Sequence, residues 1–236
     1  MKKLGLILVC FLLTTTAFAT DKKFGFAMGF NNTFYSGSDY DDFLKVGWPG
    51  MLDNQGRRLR AESAFRLAPE FGIFLEIPLT EKIAIQPEFN LIWLSHRYTV
   101  SGGADSNLYK ERSRSETKMF FEFPVLVKYE LILGSVRLTP FIGPSLLVPV
   151  TSEIRRDVPK NDDPSKTGEA SMIFAAILGV GYSMEAGPGF LYADLRYRRQ
   201  LTGHEYLGSD DGKPTEKTAK MKANKVGIRV GYGFNF

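Results

Sequence analysis

The chain of 236 residues carries one cysteine, two histidines and two tryptophans. The cysteine, Cys10, lies inside an apolar N-terminal run that is expected to be cut away. The mature chain then has no thiol for a disulfide framework or a cysteine-based metal site. Lipid attachment at Cys10 is not expected either, because Val9 stands where a small residue belongs and the cysteine sits within the run rather than after it. Charge of one sign is scarce: the formal net charge is +4, and the loss of Lys2 and Lys3 with the leader brings it to +2. That balance argues against nucleic acid as a partner, since phosphate-tracking proteins gather excess Lys and Arg on one face. Long apolar runs are missing from the rest of the chain. At 44% hydrophobic residues it is too polar for a bundle of membrane-crossing helices.

The N-terminus is informative about compartment. Met1-Lys2-Lys3 is a cationic head, Leu4 to Leu13 an apolar run, and Ala17-Phe18-Ala19 an A-x-A cleavage signature. A helix needs about 20 apolar residues to cross a bilayer, roughly twice what this run offers, so a cleaved leader is the better reading. Residues 1–19 are therefore expected to be a signal peptide and 20–236 a single domain.

Within that domain, apolar and polar residues alternate over segments long enough for a tilted membrane strand, which takes about 9–11 residues. Strands are expected at 23–35, 66–77, 82–98, 118–130, 136–150, 170–184, 190–201 and 224–236. The connections alternate in length. Short ones fall at Pro78 to Glu81, Leu131 to Ser135 and Ala186 to Gly189; long polar ones fall at 36–65, 99–117, 151–169 and 202–223. Long loops at one end only are the habit of outer-membrane barrels. The expected fold is all-β: an eight-stranded antiparallel up-and-down transmembrane β-barrel, with short periplasmic turns and long extracellular loops, in the outer membrane of a Gram-negative bacterium. Met172 to Val180 could also be read as a buried helix, but Gly179, Gly181 and the Gly-Pro-Gly turn favour a strand.

The period of two assigns faces. Ile85, Phe89, Leu91 and Trp93 oppose Gln86, Glu88 and Asn90; Leu191, Ala193, Leu195 and Tyr197 oppose Asp194, Arg196, Arg198 and Gln200. In every strand the apolar face is expected to meet lipid and the polar face the lumen. An eight-stranded barrel is only wide enough for side chains to fill it. Glu76, Glu88, Glu122, Lys128, Arg137, Asp194, Arg196, Arg198 and Arg229 are accordingly expected to form a structural ion-pair network that plugs the lumen. Gly25, Ala27 and Gly29 on the first strand leave room for long neighbours.

Catalytic chemistry has little to draw on. Adjacent Ser95 and His96 point to opposite faces of a strand, and no local motif orients His96 or His204 as a base. No enzymatic activity, cofactor or metal is expected. The acidic clusters Asp39-Asp41-Asp42, Asp162-Asp163 and Asp210-Asp211 lack the EF-hand spacing and read as turn chemistry. Trp48, Trp93, Tyr98, Tyr197 and Tyr206 fall near expected strand ends, where aromatic rings form interfacial girdles. Val230, Tyr232, Phe234 and Phe236 alternate to a final Phe, which resembles the terminal signal read by the barrel-assembly machinery.

The segments Phe71 to Leu79, Phe121 to Tyr129, Pro140-Phe141-Ile142-Gly143-Pro144 and Asp194-Leu195-Arg196-Tyr197 resemble the PorT-like outer-membrane β-barrel family common in Bacteroidota. The resemblance spans the mature chain. It implies an eight-stranded barrel and brings no catalytic residues. Some named relatives assist a secretion system for surface proteins, a role that does not transfer with the fold. The functional expectation is a non-enzymatic barrel that acts through its outer loops, in binding or in envelope and secretion assembly. Its expected partners are membrane lipid, the assembly machinery and an unidentified surface or periplasmic protein. The alternatives are a narrow pore for small solutes and a soluble, lipocalin-like periplasmic binder.

Overall fold

Eight long strands, numbered here in chain order, make up the fold: β1 (Lys23–Ser36), β2 (Leu67–Pro78), β3 (Ile83–Gly102), β4 (Arg112–Tyr129), β5 (Val136–Arg156), β6 (Ile173–Ala186), β7 (Gly189–Gln200) and β8 (Ala219–Asn235). Three short strands, Leu59–Ala64, Leu131–Leu133 and Glu205–Leu207, lie beside their ends. The computed structural model describes residues 22–36, 59–102, 112–133, 136–156, 172–202, 205–207 and 219–236. The expected signal peptide, Trp48, the acidic clusters and His204 lie outside the described residues. So do the side chains of His96, Tyr98 and Tyr206, whose backbone is strand.

Each long strand pairs antiparallel with its chain neighbour, and β8 pairs with β1 from Lys23↔Asn235 to Ser36↔Lys222. The sheet is thus a closed barrel, which removes both of its edges. The seam is fastened at its end by two backbone bonds between Lys22 and Phe236, N–H to carbonyl at 3.0 and 2.8 Å. Two of the connections on one side are tight. Leu79 and Thr80 hydrogen-bond to the carbonyl of Ile83 across one turn, and Gly187-Pro188 makes a two-residue hairpin. Gly187 has φ +62°, which a II′ turn demands of its first central residue and which glycine alone adopts without cost.

The strands reach further toward the other side than alternation suggested. β3 runs to Gly102, β4 begins at Arg112, β5 runs to Arg156 and β8 begins at Ala219, so parts of the expected loops 99–117, 151–169 and 202–223 are strand. Leu59–Ala64, inside the expected loop 36–65, also pairs with β3, from Leu59↔Gly102 to Ala64↔Arg97. Met172 to Val180 is strand from Ile173 onward, not helix, with Ile173, Ala175 and Ile177 buried and Phe174, Leu178 and Val180 exposed.

The outer surface of the wall is apolar. Phe24, Phe26, Met28 and Phe30 on β1, Leu191 and Leu195 on β7, and Ile228, Val230 and Phe234 on β8 are all exposed. In water such a band would be a large liability; against hydrocarbon it is the favourable surface. Trp93 packs edge-on against Phe71 and Tyr197 stacks on Phe34, at centroid distances of 6.1 and 6.3 Å.

Candidate functional site

The buried polar side chains converge in the lumen because they occupy the alternate positions that face away from lipid. At its centre Glu88 of β3 meets Asp194 and Arg196 of β7 and Arg229 of β8. Arg196 donates to Glu88 at 3.0 and 3.3 Å and to Asp194 at 2.9 Å twice. Arg229 donates to Glu88 at 3.1 and 3.0 Å and to Asp194 at 3.2 and 2.9 Å. Gln86 and Asn90, two residues to either side on β3, also donate to Glu88, at 2.7 and 2.9 Å. Two acids and two bases cancel, and the planar guanidinium forks match the carboxylates with two bonds each.

A second charge layer lies toward the long connections. Lys225 of β8 donates to Glu70 of β2 at 2.6 Å and lies 3.6 Å from Glu122 of β4. Arg198 reaches Glu122 at 3.5 Å, and Asn31 of β1 donates to Glu70 at 3.2 Å. Arg229 Nε stands 3.9 Å from Glu70 and joins the two layers. This layer is also neutral, with two acids and two bases. A third group lies at the end with the tight turns, where Lys23 donates to Glu76 at 2.7 Å and Lys128 to both Glu76 and Gln86, the latter at 2.9 Å.

The expected residues therefore divide. Glu88, Asp194, Arg196 and Arg229 meet directly; Glu122 and Arg198 join through the second layer; Glu76 and Lys128 form the third. Arg137 does not enter the lumen network. It is more than half exposed at the end with the tight turns and pairs with Glu130 at 3.8 Å, because β5 begins there and its side chain reaches past the wall into solvent. The sequence reading missed Glu70, Lys225 and Asn31. Their signal was present: Glu70 shares the parity of Glu76 on β2, and Lys225 that of Arg229 on β8.

The lumen is also less uniformly polar than expected. Ile92, Leu94, Phe120, Leu147, Ile173 and Ala175 form a buried apolar cluster near the outer ends of β3 to β6. Leu126, Phe141 and Ile177 form a second, and the Arg196 guanidinium lies 5.3 Å from the centroid of the Phe141 ring. Inward charges come from β2, β3, β4, β7 and β8, with Lys23 from β1, whereas the two apolar clusters come from β3 to β6. Glycines admit the large side chains: a Cβ on Gly29 would meet Arg229 Cγ at 2.8 Å, and one on Gly25 would meet the Phe74 ring at 2.3 Å. Ser95 Oγ is within 3.1 Å of Thr117 Oγ1. No group of three His, Cys, Asp or Glu among the described residues could hold a metal ion.

Comparison with known proteins gives the family. The family model described as "Outer membrane protein beta-barrel domain" matches residues 20–203. No curated protein matches the sequence. Among solved structures, the chain is similar to the attachment invasion locus protein Ail of Yersinia pestis at 8% identity and TM-score 0.39, covering 91% of this chain and 100% of that one. It is similar to Neisserial surface protein A at 14% identity and TM-score 0.36, covering 90% and 97%. The outer membrane protease OmpT of Escherichia coli aligns at 8% identity and TM-score 0.41, covering 93% and 98%. The chain is a bacterial outer-membrane protein and belongs to the outer membrane protein β-barrel domain family.

Proposed function

We propose that the protein is a non-enzymatic, non-conducting barrel that holds its long outer connections at the cell surface, where they bind a partner or support envelope or secretion assembly. The observation that carries this reading is the filled lumen: two stacked neutral charge layers, with buried apolar clusters beside and beyond them. Within these two layers a permeant ion would meet only paired charges among the described residues, and it would have to break buried pairs to pass. Two of the inner connections are tight turns, whereas the outer ones hold the sequence's long polar stretches, so variable recognition chemistry belongs at the outer end. The PorT-like resemblance supports the reading of a barrel that works beside other envelope proteins. The alternating Val230, Tyr232, Phe234 and Phe236 serve as its handle for the assembly machinery. A soluble periplasmic binder does not fit a barrel whose apolar residues face outward.

Two measurements test the proposal. Purified barrel in planar bilayers should show no discrete conductance steps, and reproducible unitary conductance would establish the narrow pore instead. Protease applied to intact cells should cut only within the long outer connections. Cuts in the turns at Thr80 or Gly187 would invert the orientation and remove the basis for surface binding.

A further inference from the structure

On one side of the barrel the lipid face ends in cations with no acid beside them. The outward positions of β7 and β8 start at the tight-turn end and are apolar from Leu191 to Tyr197 and from Phe234 to Val226. A tilted strand needs about 9–11 residues to cross a bilayer, and the run on β8 ends at that length. The same face then changes character. The next outward residue on β7 is Arg199, and on β8 Asn224, Lys222 and Lys220 follow in turn. The flanking strands β6 and β1 put no charge on this face, and the four strands together contain only the acids Glu185 and Asp194. Asp194 bonds within the lumen, and Glu185 stands opposite Phe190 beside the Gly187 turn, at the other end of the barrel. Neither Arg199 nor Lys222 has an ion-pair partner among the described residues.

The register gathers these cations around one polar spot. Arg199 is directly opposite Asn224, and Lys222, the next outward residue on β8, is opposite Ser36. The Tyr197 hydroxyl donates to Asn224 Oδ1 at 3.4 Å, and Asn224 Nδ2 donates to the exposed Ser36 Oγ at 2.7 Å. A fixed polar floor therefore lies between Arg199 and Lys222. Its membrane side is bordered by Tyr197 stacked on Phe34. Two outward rows deeper, Val180, Leu195, Ile228 and Phe30 stand directly opposite one another on β6, β7, β8 and β1, and all four are exposed. Neighbouring strands lie about 4.8 Å apart, so this row is roughly 14 Å wide, room for several acyl chains side by side.

We propose that this panel binds one phosphorylated, multiply acylated glycolipid of the leaflet on the side of the long connections. A phosphate monoester of its headgroup, with a charge of about −1.5 to −2 at neutral pH, lies over the Asn224 floor. Arg199 offers it two parallel N–H donors and Lys222 a point charge. Cations cost little at the membrane–water boundary, and with no carboxylate on this face a lipid phosphate is the counter-charge within reach. The acyl chains lie on the exposed row of Val180, Leu195, Ile228 and Phe30. The site is on the wall and is independent of what the outer connections bind.

The test uses the full barrel in a non-ionic detergent, titrated with diphosphoryl lipid A and read by native mass spectrometry. The wild type should retain one lipid A per barrel. Arg199→Gln and Lys222→Gln should each weaken retention by about tenfold or more, the worth of one charge-assisted hydrogen bond, and Lys222→Arg should preserve it. Lys82→Gln, which removes an exposed charge at the tight-turn end, should leave it unchanged. Heat-modifiable gel migration confirms that each variant is folded, and if Arg199→Gln does not fold, Lys222→Gln reads the same loss. Lipid A stripped of its phosphates should bind wild type no better than diphosphoryl lipid A binds the double glutamine variant. Equal retention by wild type and both glutamine variants overturns the proposal, as does a wild type that retains no lipid A. Retention of dioleoylphosphatidylglycerol as strong as that of lipid A, with the same loss in the variants, overturns the glycolipid source and leaves a site for any anionic headgroup.

Discussion

Replacing Glu88 by alanine removes a carboxylate on which six side-chain hydrogen bonds converge, from Gln86, Asn90, Arg196 and Arg229. Arg196 and Arg229 would then share Asp194, two guanidiniums against one carboxylate, with both side chains almost wholly shielded from solvent. Breaking a buried pair from one side leaves an uncompensated charge and costs about 3–5 kcal/mol. That corresponds to a fall of roughly two to four orders of magnitude in the folding constant. Removing a charge of each sign has a different expected outcome. Glu88→Met combined with Arg196→Met leaves Asp194 paired with Arg229 and the layer neutral, and buried pairs replaced by apolar residues of similar volume are often tolerated. The double variant should therefore be more stable than Glu88→Ala. Urea titration of the barrel in lipid vesicles, read by heat-modifiable gel migration, measures both. A Glu88→Ala barrel within about 1 kcal/mol of wild type, the range of an exposed pair, would refute the reasoning, as would a double variant no more stable than the single one.

Three further outcomes are expected. Gly143→Ala would place a Cβ 2.0 Å from the Val125 carbonyl oxygen, and such overpacking should cost about 1–3 kcal/mol in the same titration. Ile228→Lys puts a charge on the lipid face, where Ile228 is 61% exposed; the expected loss is about 2–4 kcal/mol if the site lies near the bilayer midplane, against a much smaller loss for Ile228→Val. Phe236→Ala should lower the amount of assembled barrel in cells, measured in membrane fractions, more than it lowers folding into vesicles in vitro. Equal losses in the two settings would mean that the Phe236 ring acts through the stability of the folded barrel and not as an assembly signal.

Alternation made the lipid face readable because hydrocarbon tolerates almost no polar side chain, so every second residue from Phe24 to Phe30 or from Val226 to Phe236 reports its environment. The lumen imposes no such rule. Ile92, Leu94, Phe120 and Leu147 face inward because one side of the interior is filled with apolar bulk, and where both faces of a strand are apolar the period of two loses its contrast. The outward extensions of β4 and β8 were hidden for a related reason. Arg112 to Thr117 carries only charged and hydroxyl residues, and Ala219 to Ala223 only one large apolar residue, Met221, so strand pairing rather than an apolar stripe defines them. Arg137 shows the complementary limit: its parity matched the lumen face, yet parity does not say how far along the strand the lumen ends. The partners of each inward charge also depend on strand stagger, which no single strand encodes.

The join between β1 and β8 also constrains how the molecule comes into being. It links Lys23 with Asn235, positions more than 200 residues apart in sequence. Contacts of such separation form slowly, because the entropy of bringing the ends together is spent before any pairing rewards it. Until β8 arrives, the nascent sheet has two unsatisfied edges and an oily back, the combination most prone to sticking to other chains. Closure must therefore wait for β8, with an escort shielding the incomplete ribbon between export and closure.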